Sequence, residues 1–160
     1  MSNMLYPDVF PGARKFEAEI VAMVLDMLHG SSCNAVGLLS SGGTESILLA
    51  ILAYREQGRK RGIENPEVLA GISAHPALMK ACHYFGVKLV KLPICPKTLQ
   101  LLPETVSKAI NRNTVAIYAS APTFTHGIVD PIEQLAALAY RNNIGCHVDN
   151  CLGGFLLSYL

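Results

Sequence analysis

No CxxC pair occurs in these 160 residues, and the five cysteines (Cys33, Cys82, Cys95, Cys146 and Cys151) are odd in number. That argues against a disulfide framework or a zinc site and for a reducing compartment. Each cysteine reads first as a small buried residue. Charge is scarce: 16% of residues are Asp, Glu, Lys or Arg, and 13 basic against 12 acidic side chains leave a net +1. The one short basic run, RKR at residues 59–61, reads as the polar end of a helix, so nucleic acid is not expected as a partner. The most apolar runs, IVAMVLDML and ILLAILAY, are too short to span a bilayer, and no secretory signal opens the chain. The expected location is therefore soluble and cytoplasmic. There is no internal repeat and no low-complexity segment. Apolar residues are plentiful, at 51%, enough for the core of one domain.

The apolar pattern changes period along the chain. From about Ala13, the residues Phe16, Ile20, Met23, Val24, Met27 and Leu28 recur at helical spacing, with Gly30 as a stop. A short strand is expected at Val36–Leu39. A helix over 44–61 follows, apolar on nearly every side at its start, as suits a helix packed deep against a sheet. Strands are then expected at 67–73, 87–93, 114–121 and 144–150. Between them come helices from Pro76 to about Phe85, from near Pro103, and from Asp130 to about Arg141. Asp130, Pro131 and Glu133 read as a capping box: Asp as cap, Pro first, Glu third. Strand and helix alternate, so the expected fold is α/β, a mostly parallel sheet with helices on both faces.

Ligands of such sheets sit beyond the carboxyl ends of the strands. Those ends are Ser40–Thr44, Ser73–His75, Ser120–Pro122 and Asp149–Cys151. The stretch SSGGTES, residues 40–46, offers amide groups at a helix start and the hydroxyls of Ser41, Thr44 and Ser46. It is neither GxxxxGK[ST] nor GxGxxG. By itself it reads first as an ordinary strand-to-helix turn with Ser or Gly as cap, and it also suits a phosphate held by Gly43, Thr44 and the helix dipole. Asp149 ends an apolar strand, where a carboxylate is costly unless paired. It either caps the following turn or meets a protonated pyridine nitrogen, as pyridoxal phosphate requires. His75 either caps the helix at Pro76 or stacks on a flat ring. His147 shares a strand face with Asp149 and reads as structural. His126, in TFTHGIVDP, is a lesser candidate. An anion cradle, a ring-stacking group and a buried acid at the ends of one sheet outline a pyridoxal phosphate pocket.

The stretches YPDVFPGARKFEAEIV, SSGGTESILLA, SAHPALMKACHYFGVKLV, NRNTVAIYASAPTFTHGIVDPIEQLAALA and CHVDNCLGGF together resemble the sphingosine-1-phosphate lyase family. That family is a branch of the pyridoxal phosphate-dependent group II decarboxylases, and the likeness runs in order over essentially the whole chain. SGGTES is shared across the wider group; HGxxDP with DxCLGGF is the branch pattern, which speaks against the runner-up reading of an amino-acid decarboxylase.

The resemblance implies the large domain of fold type I pyridoxal phosphate enzymes, like aspartate aminotransferase. It assigns residues 1–30 to an N-terminal segment and helix packing on that domain, and residues 31–160 to part of the domain itself, with no small C-terminal domain. It implies retro-aldol cleavage of a phosphorylated sphingoid base to a long-chain aldehyde and phosphoethanolamine. Carried over, Gly43 and Thr44 hold the cofactor phosphate and His75 stacks on the ring. Asp149 meets the pyridine nitrogen, Cys151 lies against the opposite ring face, and Ser120 lines the pocket. It further implies a homodimer, and an endoplasmic reticulum anchor for full-length eukaryotic members that is expected to be missing here.

The departures are specific. The family's Schiff-base lysine follows the Asp strand by a few dozen residues, whereas all seven lysines here precede Asp149: Lys15, Lys60, Lys80, Lys88, Lys91, Lys97 and Lys108. Tyr6 stands where the family usually has His, Ala121 replaces Thr, Thr125 replaces Pro, and Asn150 replaces Ala beside the key acid. The chain by itself is expected to bind rather than turn over, as a fragment or as a degenerate cofactor-binding or dimer-partner module.

Overall fold

The computed structural model describes residue 3 and residues 5–159. It divides into two compact units, residues 42–154 and residues 1–41 with 155–160. The larger unit contains helix α2 (Gly43–Lys60), strand β1 (Glu67–Gly71), helix α3 (Pro76–Phe85), strand β2 (Lys88–Leu92), helix α4 (Pro103–Ala109), strand β3 (Thr114–Ser120), helix α5 (Ile132–Arg141) and strand β4 (Gly145–Asp149). The smaller holds helix α1 (Pro11–Met27) and a 3-10 turn (Gly30–Cys33).

All four strands run parallel, in the order β2-β1-β3-β4. Every residue of β1 and β3 is buried, which explains their unbroken apolar sequences. Period-two alternation sends their side chains to two separate cores. Val68, Ala70, Ala116 and Tyr118 pack with Ile47 and Ile51 of α2 and with Ala77, Leu78, Ala81 and Cys82 of α3. Leu69, Ile117 and Ala119 pack on the other face with Val106 of α4 and Leu135, Leu138 and Ala139 of α5. The sheet is thus covered on both faces, as its sequence implied. The winding reverses between β1 and β3, and a ligand crevice is expected beyond their carboxyl ends.

Four expectations need correction. Val36–Leu39 forms no strand: the segment has no regular secondary structure, and Val36 is 91% exposed. A strand exists only through a ladder partner, and no described strand pairs with it. Helix α1 stops at Met27, before Gly30, with His29 taking the left-handed conformation (φ 55°). Asp130 does not cap α5, whose first flanking residue is Pro131 with no side-chain cap. Buried instead, the Asp130 carboxylate accepts from two backbone amides, Leu101 N through Oδ1 at 2.9 Å and Ser120 N through Oδ2 at 2.9 Å. Its own N–H donates to Ser120 O at 3.0 Å. Helix α2 also buries a narrower stripe than its sequence suggested (Ile47, Ile51 and Gly58), leaving Leu49 exposed.

Because both Asp130 oxygens accept, an amide cannot replace the carboxylate: its NH2 would face one of the two N–H groups. Each bond to a charged acceptor is worth about 1.5–3 kcal/mol. Asp130→Asn is therefore expected to lose roughly 2 kcal/mol of unfolding free energy in urea titration, and Asp130→Ala more. A change below about 0.5 kcal/mol in both variants would show that the clamp contributes nothing.

Candidate active-site cleft

One cleft of about 280 Å³ opens at the carboxyl edge of the sheet, lined by Gly43, Thr44, His75, Ser120, Asp149 and Cys151 together with Ile47, Pro122, Phe124 and Leu152. The six residues singled out in the sequence therefore meet in one place. They come from four separate segments, each at or next to a helix start or a strand end.

Gly42 flanks α2 at φ 152° and ψ 178°, a conformation essentially reserved for glycine. The amides of Gly43 and Thr44 follow at the start of α2, where they carry the positive end of its dipole. At Gly43 a Cβ would overlap Cys151 Sγ, so the absence of a side chain is what lets the turn after β4 approach the helix start. His75 serves as both cap and wall. Its Nδ1 accepts from Ala77 N at 3.2 Å, which caps α3 and fixes the ring, while the ring makes a T-shaped contact with Phe124 at 5.1 Å between centroids. With Nδ1 accepting, the neutral ring carries its proton on Nε2.

Asp149 is the last residue of β4. Tyr118 Oη donates to its Oδ2 at 2.5 Å, and Cys151 N donates to its Oδ1 at 3.1 Å. Burial by itself would raise the carboxyl pKa. Hydrogen bonds from Cys151 and Tyr118, with a smaller contribution from His147, outweigh it and hold the group below its ordinary value. The stabilisation this gives is complete above the unfolded carboxyl value of about 3.9 and is lost as pH falls through the lower native one. Burial pushes the Tyr118 phenol far up, and its bond to Asp149 adds to the rise. Burial pushes His147 down, against the opposing pull of Asp149. Burial and the neighbouring Asp149 push the Cys151 thiol up to about 11.

Ser120 is buried in the cleft wall, held by Asp130 through its amide and carbonyl. His126 lies outside the cleft, exposed, with Nδ1 2.7 Å from Thr125 Oγ1. His147 is half-buried and stacks on Tyr118, with centroids 5.2 Å apart and planes 25° apart. Asn150, beside the key acid, has a buried Oδ1 with no partner among the described residues. Two contributors were not anticipated from the sequence. Tyr118 carried a signal, since it shares a strand face with Ser120, but only the β3–β4 register (Tyr118 opposite His147, Ser120 opposite Asp149) places it on the acid. Asp130 carried none, because Asp-Pro before a helix has the look of a cap.

A family model described as the pyridoxal-dependent decarboxylase conserved domain matches residues 1–159. The chain belongs to the pyridoxal-dependent decarboxylase family. Within it, the chain is 46% identical to sphingosine-1-phosphate lyase 1 of Mus musculus over 99% of its own length and 28% of that protein. It is 45% identical to the sphingosine-1-phosphate lyase of Saccharomyces cerevisiae, covering 100% of itself and 27% of that protein. A solved Burkholderia pseudomallei sphingosine-1-phosphate lyase superposes with a TM-score of 0.94 at 44% identity, over 98% of this chain and 38% of that one. The chain thus spans between a quarter and two-fifths of these relatives. A Lactobacillus brevis glutamate decarboxylase at 20% identity and TM-score 0.83 shares the fold. The cofactor that membership in the pyridoxal-dependent decarboxylase family implies is pyridoxal 5'-phosphate.

With its thiol near 11, Cys151 is mostly protonated at neutral pH although it is exposed. Its alkylation by iodoacetamide, followed by mass spectrometry, is expected to be slower than that of a free thiol and to keep accelerating towards pH 11. Asp149→Asn should speed it. A rate profile with a midpoint near the ordinary value of about 8.5 would show that Asp149 does not act on this thiol.

Proposed function

We propose that this chain carries part of the cofactor-binding large domain of a pyridoxal phosphate-dependent carbon–carbon lyase. Its substrate class is a phosphorylated sphingoid base, cleaved to a long-chain aldehyde and phosphoethanolamine. The observation that carries this reading is the single cleft in which a helix N-terminus, a fixed imidazole and an ionised acid converge. The likeness to proteins named sphingosine-1-phosphate lyase supports the choice of substrate. Residues 1–30 then belong to the N-terminal helical segment and residues 31–160 to the domain.

The residues present fit the cofactor. A dianionic phosphate suits the amides of Gly43 and Thr44, the Thr44 hydroxyl and the positive helix end. Asp149, held ionised without a lysine or arginine paired to it among the described residues, suits a protonated pyridine nitrogen. His75, with its ring locked by Ala77 N, gives one wall and Cys151 the other, and Ser120 adds to the lining. When bound, pyridoxal phosphate supplies an electron sink next to the bond that breaks. The protein's part is to hold the phosphate, keep the acid charged and shield the ring.

No lysine lines this cleft among the described residues. A homodimer belongs to the same proposal, supported by α1, which buries none of its side chains and exposes Phe16, Ile20 and Met23. No described helix is long and apolar enough to cross a membrane.

The folded 160-residue chain is expected to bind pyridoxal phosphate saturably, seen by absorbance and fluorescence titration. Asp149→Ala and Thr44→Ala should each weaken binding at least about tenfold, the size of one lost charge-assisted bond. Borohydride treatment should leave no pyridoxyl-lysine from the cleft, and the chain alone should release no aldehyde. Absence of saturable binding, or indifference to Asp149→Ala, would remove the cofactor assignment; steady aldehyde release would remove the expectation of a non-catalytic piece.

A further inference from the structure

Tyr118 is only 1% exposed, yet its side chain ends in a polar hydroxyl. Burying a hydroxyl among Ile47, Ile51 and Val68 is costly unless it finds a partner. The strand register supplies one. Tyr118 pairs with His147, so Asp149 lies diagonally across on the neighbouring strand, within reach of a long side chain. The ring is held by its stack on His147 and by the core, which leaves the hydroxyl aimed at Asp149 Oδ2, 2.5 Å away.

We propose that Tyr118 is the positioning residue of the cleft's acid: its buried hydroxyl fixes the Asp149 carboxylate and keeps it charged where no lysine or arginine among the described residues does so. The second half of its purpose, presenting that charge to a pyridine nitrogen, rests on the function proposed above. The groups acting on Asp149 are Tyr118 from β3, His147 from β4 and Cys151 from the turn after it; Lys and Arg are not among them. Among the described residues Asp149 enters no ion pair. Hydrogen bonds from Cys151 and Tyr118, with His147 adding to them, therefore do the work that a lysine or arginine does elsewhere. Tyr118 donates to one oxygen and the Cys151 amide to the other, and the Cys151 side chain bonds the carboxylate as well. The carboxylate plane is set before any ligand arrives, which lowers the ordering cost of binding.

The test is Tyr118→Phe in the intact 160-residue chain, which keeps the ring and its stack on His147 and deletes only the oxygen. The first readout involves no cofactor: the pH titration of the Asp149 carboxyl carbon, followed by 13C NMR, should have a higher midpoint than in the unmodified chain. An unmoved midpoint in a variant that still melts cooperatively would overturn the proposal. The second readout is pyridoxal phosphate affinity, expected to fall by roughly tenfold. A raised midpoint with unchanged affinity would support the Tyr118–Asp149 link and count instead against the pyridine role of Asp149. If Tyr118→Phe does not fold, the unmodified chain decides. Its Tyr118 phenolic proton should appear as a protected low-field resonance, lost in Asp149→Ala, and failure to find it would overturn the proposal.

Discussion

Strand β3 must be covered on both faces, and the rest of the larger unit follows from that requirement. All seven of its residues are buried, so neither face can be left to water. Parallel neighbours satisfy its backbone on both sides, and crossover helices close over the two apolar faces. Parallel strands put every carboxyl end at one edge. Polar residues that would be costly inside the sheet are thus gathered where the apolar pattern stops, and the cleft lies at that edge.

Much of this was legible in the sequence because period is a local property. The runs VLAG and TVAIYAS announce buried strands, and the 3.6-residue recurrence announces the helices between them. Glycine and proline punctuation placed most boundaries within two or three residues. What was not legible depends on pairing. Val36–Leu39 has strand-like composition, but a strand is a relation between two segments, and no described segment supplies its partner. Asp130 obeys the local rule for a helix cap, yet its carboxylate reaches Leu101 and Ser120, respectively 29 and 10 residues away along the chain. Two buried amides outcompeted a helix start that needed no side-chain cap. Tyr118 illustrates the same limit, since its value lies in a cross-strand register that no single strand encodes.

The cleft shows how modest local signals acquire chemical meaning. A Ser-Gly turn, a histidine before proline and an aspartate at a strand end each have an ordinary structural explanation, and the structure shows that the ordinary explanation can hold alongside the functional one. His75 does cap α3, and capping is what locks the ring that walls the cleft. Fold and site draw on the same hydrogen bonds, so the parts that would meet a ligand are also parts whose loss unsettles the scaffold.

The approach of Cys151 to Gly43 extends that coupling to sequence space. The volume between the start of α2 and the turn after β4 is a single allotment shared by two positions 108 residues apart in the chain. A methyl group added on one side has to be matched by shrinkage or rotation on the other. Libraries that vary either position alone will sample mostly misfits, whereas those that vary both together can redistribute bulk between the two sides of the cleft.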